Sequence, residues 1–251
     1  MQYRRLKTET GKEEYKQMYD ELVEIAAHDL KAPLRKLAVF TDRLTSKFST
    51  QPKEEVAEYV HRIHSCIDEM NGLIDALTEY ASLTPDNMTI GKCELTLLNE
   101  KVFKQFRSVI SEDETNLEIA ALPQIQADEN QLALLFQSLL ENAVKFRRPG
   151  TLLKIKISSE LVTNDEKNKY KLEESGEYYK ISIKDNGIGF KQEYAEKIFR
   201  PLVRLNGKSS YPGYGLGLAM CERIVANHNG IMYGESNEEG TQFSIIIPEK
   251  N

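Results

Sequence analysis

"VAEYVHRIHSCIDEMNGLIDALTEYA", residues 56–81, decides how the first part of the chain folds. Within it Val56, Val60, Ile63, Ile67, Met70, Ile74, Leu77 and Ala81 alternate four and three residues apart, the seam of a helix packed as in a coiled coil. Upstream of the break "FSTQPKEE", residues 48–55, the residues Tyr19, Val23, Ala26, Leu30, Leu34, Leu37, Thr41, Leu44 and Phe48 follow the same rule. Two successive steps of four around Leu30 form a stutter next to Pro33. No glycine occurs between Lys12 and Gly72, and Glu, Lys, Leu and Ala dominate, which is helical composition. Two helices joined at the break read as an antiparallel hairpin. One hairpin cannot enclose both seams, so pairing with a second copy, a homodimer closed as a four-helix bundle, is expected.

After "SLTPDN", residues 82–87, the pattern changes. The β-rich runs "CELTLL", "LEIAALP", "LLKIKISSELV", "YYKISIKD" and "TQFSIIIP" alternate with helical stretches near 99–110, 128–146 and 215–228, which predicts an α+β domain with a mixed sheet. Asp128 and Gln131 are spaced as a capping box at the start of the second of these helices. The polar run "TNDEKNKYKLEESGE", residues 163–177, reads as a solvated hairpin loop.

Composition narrows the function. A net charge of -6 at pH 7 argues against the broad basic footprint that nucleic acid requires, leaving room only for a local basic pocket. Cys66, Cys93 and Cys221 are odd in number and scattered, which predicts reduced thiols and a reducing, cytoplasmic setting rather than disulfides or zinc. The start "MQYRRLKTET" has no apolar signal core and no run is long enough to span a bilayer, so no direct membrane insertion is expected and any sensing or membrane segment lies outside this chain.

Chemistry concentrates in two places. In "AAHDLKAPLRKL", residues 26–37, His28 lies roughly 160° round the helix from the seam positions Ala26 and Leu30 and faces outward. A solvated side chain is the plain reading of such a histidine. Asp29 beside it can accept from Nδ1–H, which leaves Nε2 unprotonated and nucleophilic. Pro33 removes the donor that would bond the carbonyl of residue 29 and predicts a bend one turn from His28. His61 and His64 share a helix face without a carboxylate or cysteine cluster, a poor metal site. His228 in "ANHNG" reads as a cation at a helix C-terminus ended by Gly230.

The second place is assembled from three segments. "IKDNGIGF", residues 183–190, follows a β-run and turns on two glycines; it lacks the third glycine of a dinucleotide fingerprint. "GYGLGLAMCERIV", residues 213–225, is a glycine-rich loop opening into a helix, where free N–H groups and the helix dipole favour phosphate. "ENAVKFRRPG", residues 141–150, supplies an amide, a lysine, an aromatic ring and two arginines. Together they offer a carboxylate for an exocyclic amine, an amide carbonyl for a hard cation, a lysine for phosphate and a ring for stacking.

The ordered series "HDLKAPL", "NAVKF", "DNGIGF", "IFRPLVRL", "GYGLGLA" and "GTQF" resembles the sensor histidine kinases of bacterial two-component systems, over residues from about 15 to 248. The Arg-Pro after the Asn motif is similar to the phytochrome-like group. The resemblance implies a helical extension or linker over 1–14, a dimerisation and histidine-phosphotransfer hairpin over 15–84, and a Bergerat-type ATP-binding domain, an α+β sandwich, over 85–251. It implies ATP and Mg²⁺ as cofactors and the receiver domain of a response regulator as partner. By the same resemblance His28 is the phosphorylated histidine and Asp29 its activating neighbour. Asn142 is the Mg²⁺ ligand, Lys145 a phosphate contact, Phe146 the ring over the adenine and Asp185 the reader of the adenine amine. Gly187 and Gly189 shape that pocket, and Phe199 and Arg204 open the ATP lid. Gly213, Gly215 and Gly217 form the loop on the phosphates, and Thr241 lines the adenine pocket.

Four positions depart from the family pattern. Ser138 stands where an asparagine is common, which implies loss of an auxiliary metal or phosphate contact, while Leu202 for Phe and Tyr214 for a small residue imply altered lid packing. Ala32, four after His28, cannot position water as the Thr or Asn of phosphatase-active relatives does. Two other readings stand beside this one: a Bergerat-fold ATPase doing conformational work, with Glu141 to activate water, and a dimeric scaffold that binds nucleotide or nothing.

Overall fold

Heptad spacing without glycine produces two long helices, α1 (Glu9–Lys47) and α2 (Lys53–Ser82). The structure, a computed structural model, describes residues 9–47, 53–106, 115–205, 211 and 213–250; the side chains of 9–24, 28, 46–47 and 53–55 lie outside that description. The chain divides into two compact units, Arg5–Ala81 and a larger one running from Ser82 to Asn251.

In the hairpin, α1 continues unbroken through Pro33, which is buried. Phe40 of α1 meets Tyr59 of α2 with ring centroids 6.4 Å apart, and the guanidinium of Arg62 lies 5.6 Å from the Phe40 ring. The burial pattern widens the predicted seam of α2. Cys66, Leu73 and Tyr80, on the same seven-residue step as Tyr59, are 5%, 3% and 3% exposed. Val60, Ile67 and Ile74, one position further along, are 39%, 40% and 49% exposed. The apolar stripe is wider than one seam, so within one chain half of it is covered and half faces out. Of the α1 seam, Leu34 is 50% exposed, and the side chains of Tyr19, Val23 and Phe48 lie outside the described residues.

The larger unit begins with β1 (Gly91–Glu94), which pairs antiparallel with β3 (Gln124–Ala127); between them run α3 (Leu95–Phe106) and β2 (Thr115–Ile119). There follow α4 (Glu129–Lys145), β4 (Leu153–Leu161), α5 (Asn164–Tyr170), β5 (Tyr178–Asp185), α6 (Gly217–Asn227), β6 (Ile231–Asn237) and β7 (Gly240–Pro248). The main sheet has the order β2-β4-β5-β7-β6, with β2 and β4 parallel and the other pairs antiparallel. Its register sets Ile181 beside Ile245, Ile183 beside Phe243 and Asp185 beside Thr241, so one alternating row of side chains forms a face. That row is buried together with Ile155 and Ile157, and α4 and α6 pack together over this part of the fold. Phe136, 1% exposed, is the largest fully buried side chain among the described residues.

Several readings change here. The run "CELTLL" is strand only to Glu94; Leu95, Leu98, Asn99, Val102 and Phe106 recur at helical spacing and are buried, so α3 starts at Leu95 rather than near 99. The four-residue β3 and the seven-residue β6 lie outside the runs read as β-rich. The run 163–177 is not a plain solvated loop. Thr163 and Glu166 form a capping box that starts α5, and Tyr170 is carried into a cluster with Val162, Tyr178 and Ile246 on the opposite face of the sheet. Its ring stacks 5.7 Å from Tyr233.

Asp128 caps α4 by accepting from Gln131 N–H at 2.9 Å, but the reciprocal half of the predicted box is absent. Asp128 N–H donates instead to Nε2 of His228 at 3.0 Å, and Gln131 Oε1 accepts from Asn227 at 3.2 Å. His228 is therefore not a cation on a helix end. It is fully buried, burial holds its pKa below the ordinary 6.5, and its Nδ1 lies 2.8 Å from the carbonyl oxygen of Ile224. An acceptor Nε2 leaves the proton on Nδ1, which donates to that carbonyl. The histidine thus ties the C-terminus of α6 to the N-terminus of α4. All three cysteines are free and buried; burial pushes the Cys93 thiol up to about 11 and the Cys221 thiol up to about 12.

Candidate functional site: an anion and purine cradle at the end of α4

The last turn of α4, the loop after β5 and the start of α6 come together in the larger unit. Asn142, Lys145 and Phe146 share that last turn because positions three and four apart lie on one face of a helix. Phe146 is the C-cap residue, and its carbonyl oxygen accepts from Ile188 N–H at 2.9 Å, which docks the loop of Gly187 and Gly189 onto α4. Gly187 allows the approach: a Cβ there would lie 2.7 Å from the Phe146 carbonyl oxygen.

Asp185 sits at the end of β5, 8% exposed, beside Thr241 of β7. Its Oδ1 accepts from Gly187 N–H at 2.7 Å, and the backbone of Thr241, opposite it in the sheet register, also favours the ionised form. Burial raises its pKa, and the backbone of Gly187 and Thr241 pulls it back only in part. A buried carboxylate with acceptor capacity left over suits a ligand that brings a donor, such as an exocyclic amine.

Around the second part of the site the charge is reversed. Burial lowers the Lys145 pKa, and the Arg204 guanidinium lowers it further. Arg204 donates to the Gly213 carbonyl at 3.2 Å, and the Lys145 ammonium lies 5.0 Å from the Phe146 ring, whose other neighbour is Tyr211 at 4.9 Å. Gly215 adopts a φ of +76°, and its carbonyl accepts from Leu202 N–H at 2.9 Å; any side chain there would be strained and would meet the Val203 carbonyl. Leu202, itself at a φ of +63°, is buried, so its side chain packs inward. Phe199 anchors the same segment edge-on against Phe243. Two partly buried cations beside a glycine loop and the first turn of α6 are the kind of surroundings that suit a polyphosphate.

The Nδ2 end of Asn142 is buried without a hydrogen-bond partner, close to Gly217. Amide oxygen and nitrogen are interchangeable by a flip, so this side chain can turn its carbonyl to a hard cation. No cluster of three or more His, Cys, Asp or Glu able to hold a metal occurs among the described residues. One amide plus phosphate oxygens and water is the donor set Mg²⁺ commonly takes, so the residues fit that ion as a nucleotide-borne one. Ser138 fills the space opposite Gly217, whose Cβ would lie 2.8 Å from its Oγ. Glu141 is exposed and accepts from Gln137 at 2.9 Å.

Three residues that hold the site together were not singled out from the sequence. Asn186 Oδ1 accepts from Lys154 N–H at 2.8 Å and its amide donates to Leu152 O at 2.9 Å; Ser236 Oγ accepts from Phe190 N–H at 2.8 Å; Arg148 donates to the carbonyls of Gly187, at 3.0 Å, and Glu238. Arg148 had a signal in its place in "KFRRPG" and Asn186 in its place in "DNGIGF"; Ser236 had none. In the hairpin unit, His28 lies on α1, its side chain outside the described residues; Asp29 is half-buried and Ala32 exposed.

Comparison with known proteins bears on both units. Residues 18–86 match the model of the His Kinase A (phospho-acceptor) domain, and residues 127–251 match that of the histidine kinase-, DNA gyrase B- and HSP90-like ATPase. The phytochrome-like protein Cph1 of Synechocystis is 27% identical over 90% of this chain and 29% of its own length, and cyanobacterial phytochrome A of Nostoc is 30% identical over 89% and 28%. The adaptive-response sensory kinase SasA of Synechococcus elongatus is 28% identical over 91% of this chain and 59% of its own. The chain thus spans under a third of the phytochromes it matches. Among solved structures, histidine kinase ThkA in complex with response regulator protein TrrA shares the fold with a TM-score of 0.67, at 21% identity over 96% of this chain and 65% of that one. With a phospho-acceptor domain and an ATPase domain in the order of those kinases, the chain belongs to the histidine kinase family.

Proposed function

We propose that the protein is an ATP-dependent histidine kinase, the hairpin of residues 15–84 presenting His28 and residues 85–251 holding the nucleotide. The observation that carries this reading is the convergence of Asp185, Asn142, Lys145 and the glycine loop at one end of α4. Asp185 takes the adenine amine, with Phe146 against the base and Thr241 lining its pocket. Lys145, Arg204 and the Gly213–Gly217 loop take the phosphates. Asn142 would hold Mg²⁺, which when bound neutralises phosphate charge. Nε2 of His28 attacks the γ-phosphorus in line; a P–N bond forms, the bond to the leaving ADP oxygen breaks, and Asp29 holds Nδ1–H and steadies the cationic ring.

The phosphoryl group then passes to an aspartate of a response-regulator receiver domain docked on the hairpin. The ThkA structure, solved with its regulator, is a precedent for such a partner. The outward row Val60, Ile67 and Ile74 supports a homodimer closing a four-helix bundle, and a clean monomer mass by light scattering at micromolar concentration would refute it. Ala32 offers no group to hold water, so phosphatase activity toward the regulator is weak in this reading. Among the described residues no helix is long and apolar enough to cross a membrane, and three buried free thiols suit a reducing cytoplasm. Glu141 bonds Gln137 rather than pointing at the nucleotide site, which leaves the ATPase reading without its base.

Label from γ-labelled ATP tests the proposal. It should enter the protein, resist base and be lost in acid, and His28→Gln should remove it. Labelling of that variant at the wild-type rate would overturn the assignment.

A further inference from the structure

The loop that carries Gly187 is held at a single peptide group from two sides. The peptide joining Gly187 to Ile188 offers one carbonyl and one N–H. Its N–H donates to the Phe146 carbonyl at 2.9 Å, and its carbonyl accepts from Arg148 Nε at 3.0 Å. Both partners come from the same short segment at the end of α4. A peptide plane fixed at both its polar ends cannot rotate.

The second arm of Arg148 donates to the carbonyl of Glu238, in the turn between β6 and β7. That turn leads through Gly240 to Thr241. Asp185 Oδ1 accepts from Gly187 N–H, and the backbone of Thr241, its register partner on β7, also favours the ionised carboxylate. Gly187 and Thr241 each come from one of the two segments that Arg148 joins. A planar guanidinium has donors in a fixed fork and can bond two carbonyls at once, which a lysine cannot reproduce.

We infer that Arg148 is a positioning residue for purine recognition: it staples the 187–188 peptide to the β6–β7 turn and so aims the Asp185 carboxylate. This rests on the reading of Asp185 as the group that takes the adenine amine. Arg148 touches no part of the nucleotide in this role, so its removal should blunt discrimination at the base and spare contacts to phosphate.

The test compares ADP with IDP, which carries an oxo group in place of the 6-amino group, by calorimetric titration of the full chain. Wild type should bind ADP well ahead of IDP, because a buried acceptor rejects a ligand lacking the donor. Arg148→Ala should weaken ADP by about tenfold and IDP by about twofold or less, compressing the ratio between them. Arg148→Lys, which retains the charge and one bond, should compress it by about threefold, and it serves alone should the alanine variant fail to fold. Equal losses for both nucleotides, or a wild-type ratio in the variants, would overturn the inference. A wild type that does not prefer ADP would instead sink the reading of Asp185, and the inference with it.

Discussion

Between Ile25 and Ala81 the described hairpin buries Ala26, Pro33, Cys66, Leu73 and Tyr80, whereas from Leu83 onward the sheet row and the inner faces of α4 and α6 are almost wholly enclosed. The hairpin has the more regular apolar pattern of the two and the smaller core of its own. Its pattern specifies surface that a single chain leaves open. The α+β unit has weaker periodicity and closes on itself, through packing and through polar ties such as His228 to Asp128. Regular sequence is thus a sign of what a segment wants to contact, and not of whether the contact lies in the same molecule.

Four variants would break or sharpen this contrast. Phe136→Ala opens a cavity in the self-contained core and should cost about 3–5 kcal/mol of the unfolding free energy of the α+β unit, read by urea titration followed by circular dichroism. Full stability in that variant would mean the unit does not depend on its own core. His228→Ala removes the acceptor of Asp128 N–H and should cost about 1–3 kcal/mol in the same titration.

The wild-type histidine also gives that unit a pH signature. Burial holds its folded pKa below 6.5, so the unfolded chain binds more protons between those two values. The contribution of this group is complete above about pH 6.5 and declines as pH falls toward the folded value. His228→Ala should lose that part of the acid sensitivity, and an unchanged slope below pH 6.5 would contradict the buried neutral ring.

Asp185→Asn should change stability in the other direction. The raised pKa means that the ionised carboxylate is disfavoured in the fold, a penalty that grows as pH rises through the folded pKa. Removing the charge should raise the unfolding free energy by a small amount, under about 1 kcal/mol, while abolishing the thermal shift given by ADP. Ile67→Asp should have the smallest effect on the α+β unit, within about 0.5 kcal/mol, yet halve the mass by light scattering. A dimer that survives it would place the interface elsewhere.

Legibility followed the length scale of the interactions. The helices α1 and α2, the strands β4, β5 and β7 and the chemistry of the three site segments can be read locally, from spacing and from residue type. What could not be read depends on partners distant in sequence. Asp128 and Gln131 have the spacing of a capping box, but a histidine 100 positions away takes the amide that Gln131 would have bonded. Tyr170 lies in a run of charged residues, and only the sheet surface opposite it turns that run into a helix with a buried side. Arg148 was visible as a basic residue near the site, but its two carbonyl partners lie 39 and 90 positions downstream.

The burial of sulfur carries a consequence for oxidative damage. With thiols pushed up to about 11 and about 12, Cys93 and Cys221 hold roughly one part in ten thousand or less as thiolate near neutral pH. Peroxide and alkylating reagents act on the thiolate, so these two side chains should remain unmodified for as long as the α+β unit stays folded. Slow labelling of Cys221 by iodoacetamide would then report transient opening of the packing between α4 and α6, which makes this thiol a built-in clock for breathing of the nucleotide-binding unit.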